Sequence, residues 1–203
     1  QPFQSQDLWH DRSKERSALK ITPTRLPDVL LIEPDVHRDD RGFFLETWHA
    51  DKFAAAGLDR KFVQDNHSRS GRGTLRGLHA QLVHPQGKLV RCSLGELFDV
   101  AVDIRAGSPT FGQSVGVTLS ADNFKQLWIP EGFAHGFCVT SEFAELQYKC
   151  TDVYDPTGEI TVAWDDPTLA IDWPIEDPLV SPKDAVGSRL ADFDTSALPQ
   201  YRS

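Results

Sequence analysis

Several side chains in this sequence could move a proton or steady the charge that its removal leaves. His79 closes the segment Leu75-Arg76-Gly77-Leu78-His79, and His135 sits inside Pro130-Glu131-Gly132-Phe133-Ala134-His135-Gly136-Phe137. Glycines and apolar neighbours keep water from an imidazole, which disfavours its charged form and leaves the neutral ring a general base requires. The plainer alternative, a hydrogen-bonded core histidine, stays open for each ring. Gly87-Lys88-Leu89-Val90-Arg91 places two cations on a β-like segment. Lys88 follows His79 at a distance that fits two adjacent strands joined by a turn at Pro85-Gln86-Gly87, and an exposed basic strand face is the competing reading. Tyr148 and Tyr154 bracket Lys149-Cys150-Thr151-Asp152. Each phenol is either a proton donor or a packing residue whose hydroxyl finds a partner.

The run Pro-x-Gly-x-x-His at 130–135 matches half of the metal signature of cupin barrels, so a metal must be weighed. The other half calls for His-x-His and a nearby Glu, whereas His79 is followed by Ala80, Gln81 and then His84. On a strand His79 and His84 fall on opposite faces, because five is an odd step. Three ligands of suitable spacing are lacking, and neither a metal nor any other cofactor is expected.

The elements that must position these groups are mostly short strands. The chain has 203 residues, 39% of them hydrophobic, enough for one domain with a full core. Residues 1–20 are polar and without alternation, and read as a tail ahead of a domain at 21–203. The chain starts at Gln1 and contains no Met, so residues are expected to have been lost ahead of it. The formal charge of -9 argues against a nucleic-acid partner. Lacking both a membrane-length apolar run and a secretory leader, the chain reads as soluble and cytoplasmic. Cys92, Cys138 and Cys150 form no CxxC pair and read as buried free thiols. From Leu26 onward, apolar runs alternate with turn formers. Strands are predicted at 29–32, 43–48, 88–93, 97–105, 115–119, 126–129, 136–140, 145–151 and 160–164. In 97–105, Phe98, Val100, Val102 and Ile104 share an apolar face, and Asp99, Asp103 and Arg105 a wet one. A helix is predicted at 50–56, stopped by Gly57, with a short helical segment after Ser181-Pro182-Lys183-Asp184. The fold class is all-β: a cupin or jelly-roll barrel of two antiparallel sheets with a few short helices.

Arg76-Gly77-Leu78-His79, Gly87 to Cys92, Phe98 to Arg105, Ser108 to Gly112 and Ile129 to Phe137, taken in order, closely resemble the dTDP-4-dehydrorhamnose 3,5-epimerase family. Asp39 to Phe44, Gln64 to Ser68, Tyr148 to Thr151, Asp172-Trp173-Pro174 and Ser181 to Asp184 extend the likeness from about Leu26 to Phe193. The resemblance implies a metal-free homodimeric barrel that acts on dTDP-4-keto-6-deoxyglucose in rhamnose synthesis. It implies His79 as base, Asp184 as the carboxylate that orients it, Tyr148 as the opposing acid and Lys88 as the cation beside the sugar's C4 oxygen. It also places Arg76, His135, Tyr154, Glu159 and Lys183 at the pocket, with Arg41, Phe43, Glu46, Gln64 and Asn66 from the N-terminal region. Part of that region is expected to reach the partner's site.

These roles are chemically coherent. A C–H beside a ketone becomes acidic only if charge can move onto the carbonyl oxygen, so base and oxyanion stabiliser must act together. Inversion then needs a separate donor on the other face. Position 80 is Ala where the family usually has an aromatic, which bears on specificity more than on reaction type. The alternatives are a mono-epimerase or 3,4-ketoisomerase of a modified deoxysugar, a binding module without activity, and a metal-dependent cupin enzyme.

Overall fold

The computed structural model describes residues 19–202, which form thirteen strands, one α-helix and the loops that join them. In chain order the strands are β1 Lys20–Pro23, β2 Leu30–Glu33, β3 Val36–Asp39, β4 Gly42–Leu45, β5 Gln64–Gly71, β6 Leu75–Gln81, β7 Lys88–Leu94, β8 Glu96–Asp103, β9 Ser114–Ser120, β10 Gln126–Ile129, β11 Phe133–Val139, β12 Phe143–Cys150 and β13 Glu159–Thr161. One sheet has the order β1-β2-β10-β7-β12-β5 and the facing sheet β13-β6-β11-β8-β9. All their strand pairs are antiparallel. This is the all-β jelly-roll barrel expected from the sequence, with helix α1 at Ala50–Ala55 and two 3-10 turns at Asp184–Val186 and Leu190–Asp192. The predicted tail lies outside the described residues up to position 18, but its last residue, Lys20, already pairs with Glu33 in β1.

Three apolar layers hold the barrel. Between the sheets, Val90, Leu127, Ile129 and Leu146 meet Leu97, Ala101, Leu119, Phe133 and Val139. Outside the five-stranded sheet, Leu78, Val100, Val102 and Ile104 are covered by Val162, Leu169, Leu190 and Leu198 from the C-terminal segment. Outside the six-stranded sheet, Phe53 of α1 joins Leu58, Leu89 and Trp128, with Trp48 tilted on it at 4.4 Å. A helix of six residues is too short to be stable alone. Burying the Phe53 ring supplies about 2–3 kcal/mol and pins it to the sheet.

Four sequence expectations are corrected. The face of β8 predicted to be wet is dry: Asp99 and Asp103 have no exposed surface. Both faces of this strand are covered, and its carboxylates survive burial by pairing, Asp99 with His135 and Asp103 with Arg105, Ser108 and Thr110. His79 and Lys88 are not on adjacent strands either. β6 belongs to one sheet and β7 to the other, so the Pro85-Gln86-Gly87 stretch carries the chain across the barrel rather than around a hairpin. The predicted strand 43–48 ends at Leu45, where the chain turns toward α1, and that at 160–164 is only the short β13. The three cysteines are buried and free.

Arg105 ties three distant segments together. Its guanidinium donates to both oxygens of Asp103 at 2.9 and 2.7 Å, pairs with Asp28 at 2.9 Å, and lies between the rings of Phe133 and Tyr201 at 4.4 and 5.0 Å. Burial pushes the Asp103 carboxyl up, but the Arg105, Ser108 and Thr110 hydrogen bonds outweigh it and hold the group below the ordinary 3.8. A depressed carboxylate stabilises the fold above its unfolded pKa, and that contribution is lost as pH falls through the folded value. Arg105→Ala, which strands a buried carboxylate, should cost about 3–5 kcal/mol in urea unfolding at neutral pH. Arg105→Lys should recover only part, because an ammonium cannot reproduce the two-pronged contact. A loss below about 1 kcal/mol in the alanine variant would show that the network does not carry this weight.

Candidate active site

Gln64, Asn66, His79, Ala80, Gln81, Gln86, Lys88, Tyr148, Tyr154 and Glu159 enclose a cavity of about 300 Å³ between the sheets. His79 stands on β6 and Glu159 on β13 of one wall. Lys88 on β7, Tyr148 on β12, and Gln64 and Asn66 on β5 form the other. Antiparallel register accounts for the grouping: Tyr148 lies opposite both Asn66 and Val90, while Cys150 lies opposite both Gln64 and Lys88. Residues directly across a ladder share a face.

His79 is held by a residue 105 positions away. Its Nε2 lies 2.6 Å from Asp184 Oδ1, and the carboxylate's other oxygen accepts the Gly77 backbone N–H at 3.3 Å. Asp184 is fixed in turn by its own N–H donating to Ser181 Oγ at 3.1 Å, within the 3-10 turn. This contact assigns the ring proton to Nε2 and leaves the lone pair on Nδ1, which is 3.9 Å from Glu159 Oε1. Burial pushes the imidazole below its ordinary 6.5, and Asp184 and Glu159 offset this only in part. The ring is therefore neutral near pH 7. Behind it, a Cβ on Gly77 would come within 2.6 Å of the Gly136 backbone, so only glycine lets β6 approach β11 this closely. Gly77 also has a φ of +119°, open to glycine alone.

Lys88 is buried, and burial pushes its ammonium below the ordinary 10.5; Cys150, Glu159 and Asp99 oppose that shift. Among the described residues it donates to no protein acceptor, so its hydrogen-bonding capacity is available to a ligand. Tyr148 is partly buried, and burial raises its phenol above 10, which keeps the hydroxyl protonated at neutral pH. At the mouth, Glu159 Oε2 accepts Tyr154 Oη–H at 2.8 Å and the Lys183 ammonium. Burial pushes the Glu159 carboxyl up, yet these two donors bring it below 4.5. Gln64 donates to Asn66 at 3.1 Å and accepts the Tyr154 backbone N–H at 3.0 Å, which joins the two lips of the cavity.

The remaining sequence candidates do not line this cavity, although Arg76 is near enough to the Tyr148 phenol to lower its pKa. His135 is opposite His79 in the β11–β6 register but is buried below the cavity, with Nε2 at 2.9 Å from Asp99, the core-histidine setting. Arg76 is exposed and donates to Ser70 Oγ at 3.1 Å. Arg41, Phe43 and Glu46 belong to the β3–β4 ribbon or its exit, away from this cavity. Arg41 pairs with Asp39, Glu46 with Lys52, and Phe43 packs on Phe124 at 4.8 Å. The more exposed aromatic of the ribbon is Phe44, which sequence reasoning passed over. It also passed over Gln81 and Gln86, although Gln81, two positions after His79, is on the same strand face by simple alternation. No group of three or more His, Cys, Asp or Glu among the described residues is arranged to hold a metal ion.

The barrel topology is that of the cupin-type epimerases. The model of the dTDP-4-dehydrorhamnose 3,5-epimerase family matches residues 23–192, and the chain belongs to that family. It is 58% identical over 178 residues to the dTDP-4-dehydrorhamnose 3,5-epimerase of Pseudomonas aeruginosa, covering 87% of this chain and 98% of that one. A Streptomyces niveus dTDP-4-dehydrorhamnose 3-epimerase is 42% identical, with 90% of each chain covered. Among solved structures, the dTDP-6-deoxy-D-glucose-3,5-epimerase of Legionella pneumophila in complex with dTDP-4-keto-L-rhamnose superposes with a TM-score of 0.88. It is 51% identical, with 91% of this chain and all of that one covered.

The ring proton assignment can be checked directly. His79 should titrate below 6.5 by NMR, and Asp184→Asn, which removes an anion that favours the imidazolium, should move the titration lower still. An upward shift in that variant would contradict the assignment.

Proposed function

We propose that this chain inverts C3 and C5 of dTDP-4-keto-6-deoxyglucose, with His79 as base, Lys88 as oxyanion stabiliser and Tyr148 as acid. The observation that carries the reading is that these three side chains line one cavity, His79 from one sheet and the other two from the facing sheet. His79 Nδ1 takes the proton from the carbon next to the ketone, and the C–H electron pair moves into the ring as the carbonyl oxygen becomes an enolate oxygen. The Lys88 ammonium steadies that oxygen, and its burial strengthens the attraction. Asp184 stabilises the imidazolium that forms. Tyr148 then delivers its proton to the opposite face of the same carbon, and exchange with solvent returns the phenol and the imidazole to their starting states. Repetition at the second carbon completes the double inversion.

The ribbon residues fit a dimeric assembly. β3 and β4 pair only with each other, and they carry Arg41 and Phe44 exposed at a distance from their own subunit's cavity. In a homodimer this ribbon would enter the partner's site, where Phe44 offers a stacking face to the base and Arg41 a charge to the diphosphate. No helix among the described residues is long and apolar enough to cross a membrane, in keeping with a cytoplasmic enzyme on a nucleotide sugar.

A second reading, inversion at one carbon only, is favoured by the similarity to the 3-epimerase of Streptomyces niveus. Turnover of dTDP-4-keto-6-deoxyglucose in deuterated water separates the two: NMR should show deuterium at both C3 and C5, and label at one carbon alone would establish the mono-epimerase. His79→Ala should lower the rate by about 10²–10⁴-fold with nucleotide binding nearly intact. Tyr148→Phe should retain solvent exchange while losing net inversion; if both fall together, Tyr148 is not the separate acid.

A further inference from the structure

We propose that Phe124, far along the chain from any catalytic group, is a positioning residue that sets the pose of the β3–β4 ribbon and through it the affinity of the site the ribbon completes; this rests on the cross-subunit reading above. The ribbon has two unlike faces. Register places Arg38 opposite Phe43 and Val36 opposite Leu45 on one face, and His37 opposite Phe44 on the other. The second face has Phe44 stacked over His37 at 6.4 Å, and Phe44 is the more exposed of the two rings. The first rests on Phe124. Its ring meets Phe43 edge-on at 4.8 Å and lies 5.0 Å beneath the Arg38 guanidinium. With no strand of either large sheet paired to β3 or β4, these ring contacts take the place of ladder hydrogen bonds in holding the ribbon to its subunit.

Phe124 occupies this place at a cost. Its φ is +56°, the left-handed region that a bulky L-residue rarely adopts and that Gly or Asn fills without strain. The β9–β10 turn enforces it. Asn123 Oδ1 accepts the backbone N–H of Ser120 at 3.1 Å and of Lys125 at 2.9 Å, and Asn123 Nδ2 donates to Thr118 O at 2.9 Å. The Phe124 N–H donates to Ser120 O at 3.2 Å. A turn held this firmly with an aromatic at its strained position presents a ring where a relaxed turn would present none. Strain of this kind persists where the surrounding structure over-determines it, and here the aromatic and cationic partners of the ring among the described residues are the two ribbon residues.

Phe124→Gly removes the ring and relieves the backbone, so stability and affinity should part. The melting temperature should stay within a few degrees of the parent's. KM should rise roughly five- to thirtyfold, the worth of one aromatic pair and one cation–π contact, with kcat within about twofold. Phe124→Tyr should restore KM. An unchanged KM in both Phe124→Gly and Phe124→Ala, or no rescue by tyrosine, overturns the proposal. Mixed dimers of a Phe124→Gly subunit with a His79→Ala subunit test the premise separately. Their one live cavity belongs to the subunit with the loosened ribbon and receives an intact ribbon from its partner, so KM should be normal. A KM as high as in the Phe124→Gly homodimer would mean that the ribbon serves its own subunit. That result overturns the cross-subunit reading while leaving the role of Phe124 in place.

Discussion

Burial drives an imidazole and an ammonium in the same direction, toward the neutral form, and this chain buries one of each in facing walls of a single cavity. For the imidazole that direction favours the neutral form, the one able to accept a proton. For the ammonium it opposes charge stabilisation, and anions near Lys88 must offset it. Asp99 below and Glu159 at the mouth do so, while Asp184, on the far side of His79, moderates the first shift without reversing it. Such a balance holds only if the walls keep their spacing, because a displacement of about 1 Å at a reacting centre can cost two orders of magnitude in rate.

Rigidity comes from covering the sheets on their outer faces as well as between them. The C-terminal segment seals the five-stranded sheet with Leu169, Leu190 and Leu198, and α1 seals the other through Phe53. Because β8 is then dry on both sides, its two carboxylates must be neutralised locally, and the Asp99–His135 and Asp103–Arg105 pairs follow from the burial itself. The same C-terminal segment brings Asp184 to His79. Sealing the sheet and orienting the His79 imidazole are one structural event, carried by a residue near the end of the chain.

Much of the architecture was legible because short apolar runs between turn formers specify β structure, and β10 was read to the residue. β5 escaped because its sequence, Gln-Asp-Asn-His-Ser-Arg-Ser-Gly, has no apolar face. It lines a polar cavity with Gln64 and Asn66 and turns Asp65, His67 and Arg69 outward. The wet face assigned to β8 was wrong for the opposite reason, since alternation reports polarity and not solvent. Phe43 and Phe44 alternate along β4, so Phe43 meets Phe124 while Phe44, the more exposed ring, stacks on His37.

By itself the sequence determined the all-β class, the residue types needed for proton transfer, the family and the pairing of His79 with Asp184 through the motifs that contain them. Only the tertiary structure decided that His79 and Lys88 face each other from separate sheets, that His135 lies beneath the cavity, and that the ribbon leaves its own cavity unaided. The physical reason is that local pattern encodes which face of a strand is apolar, whereas the sheet a strand joins depends on how all the strands share the burial of a common core.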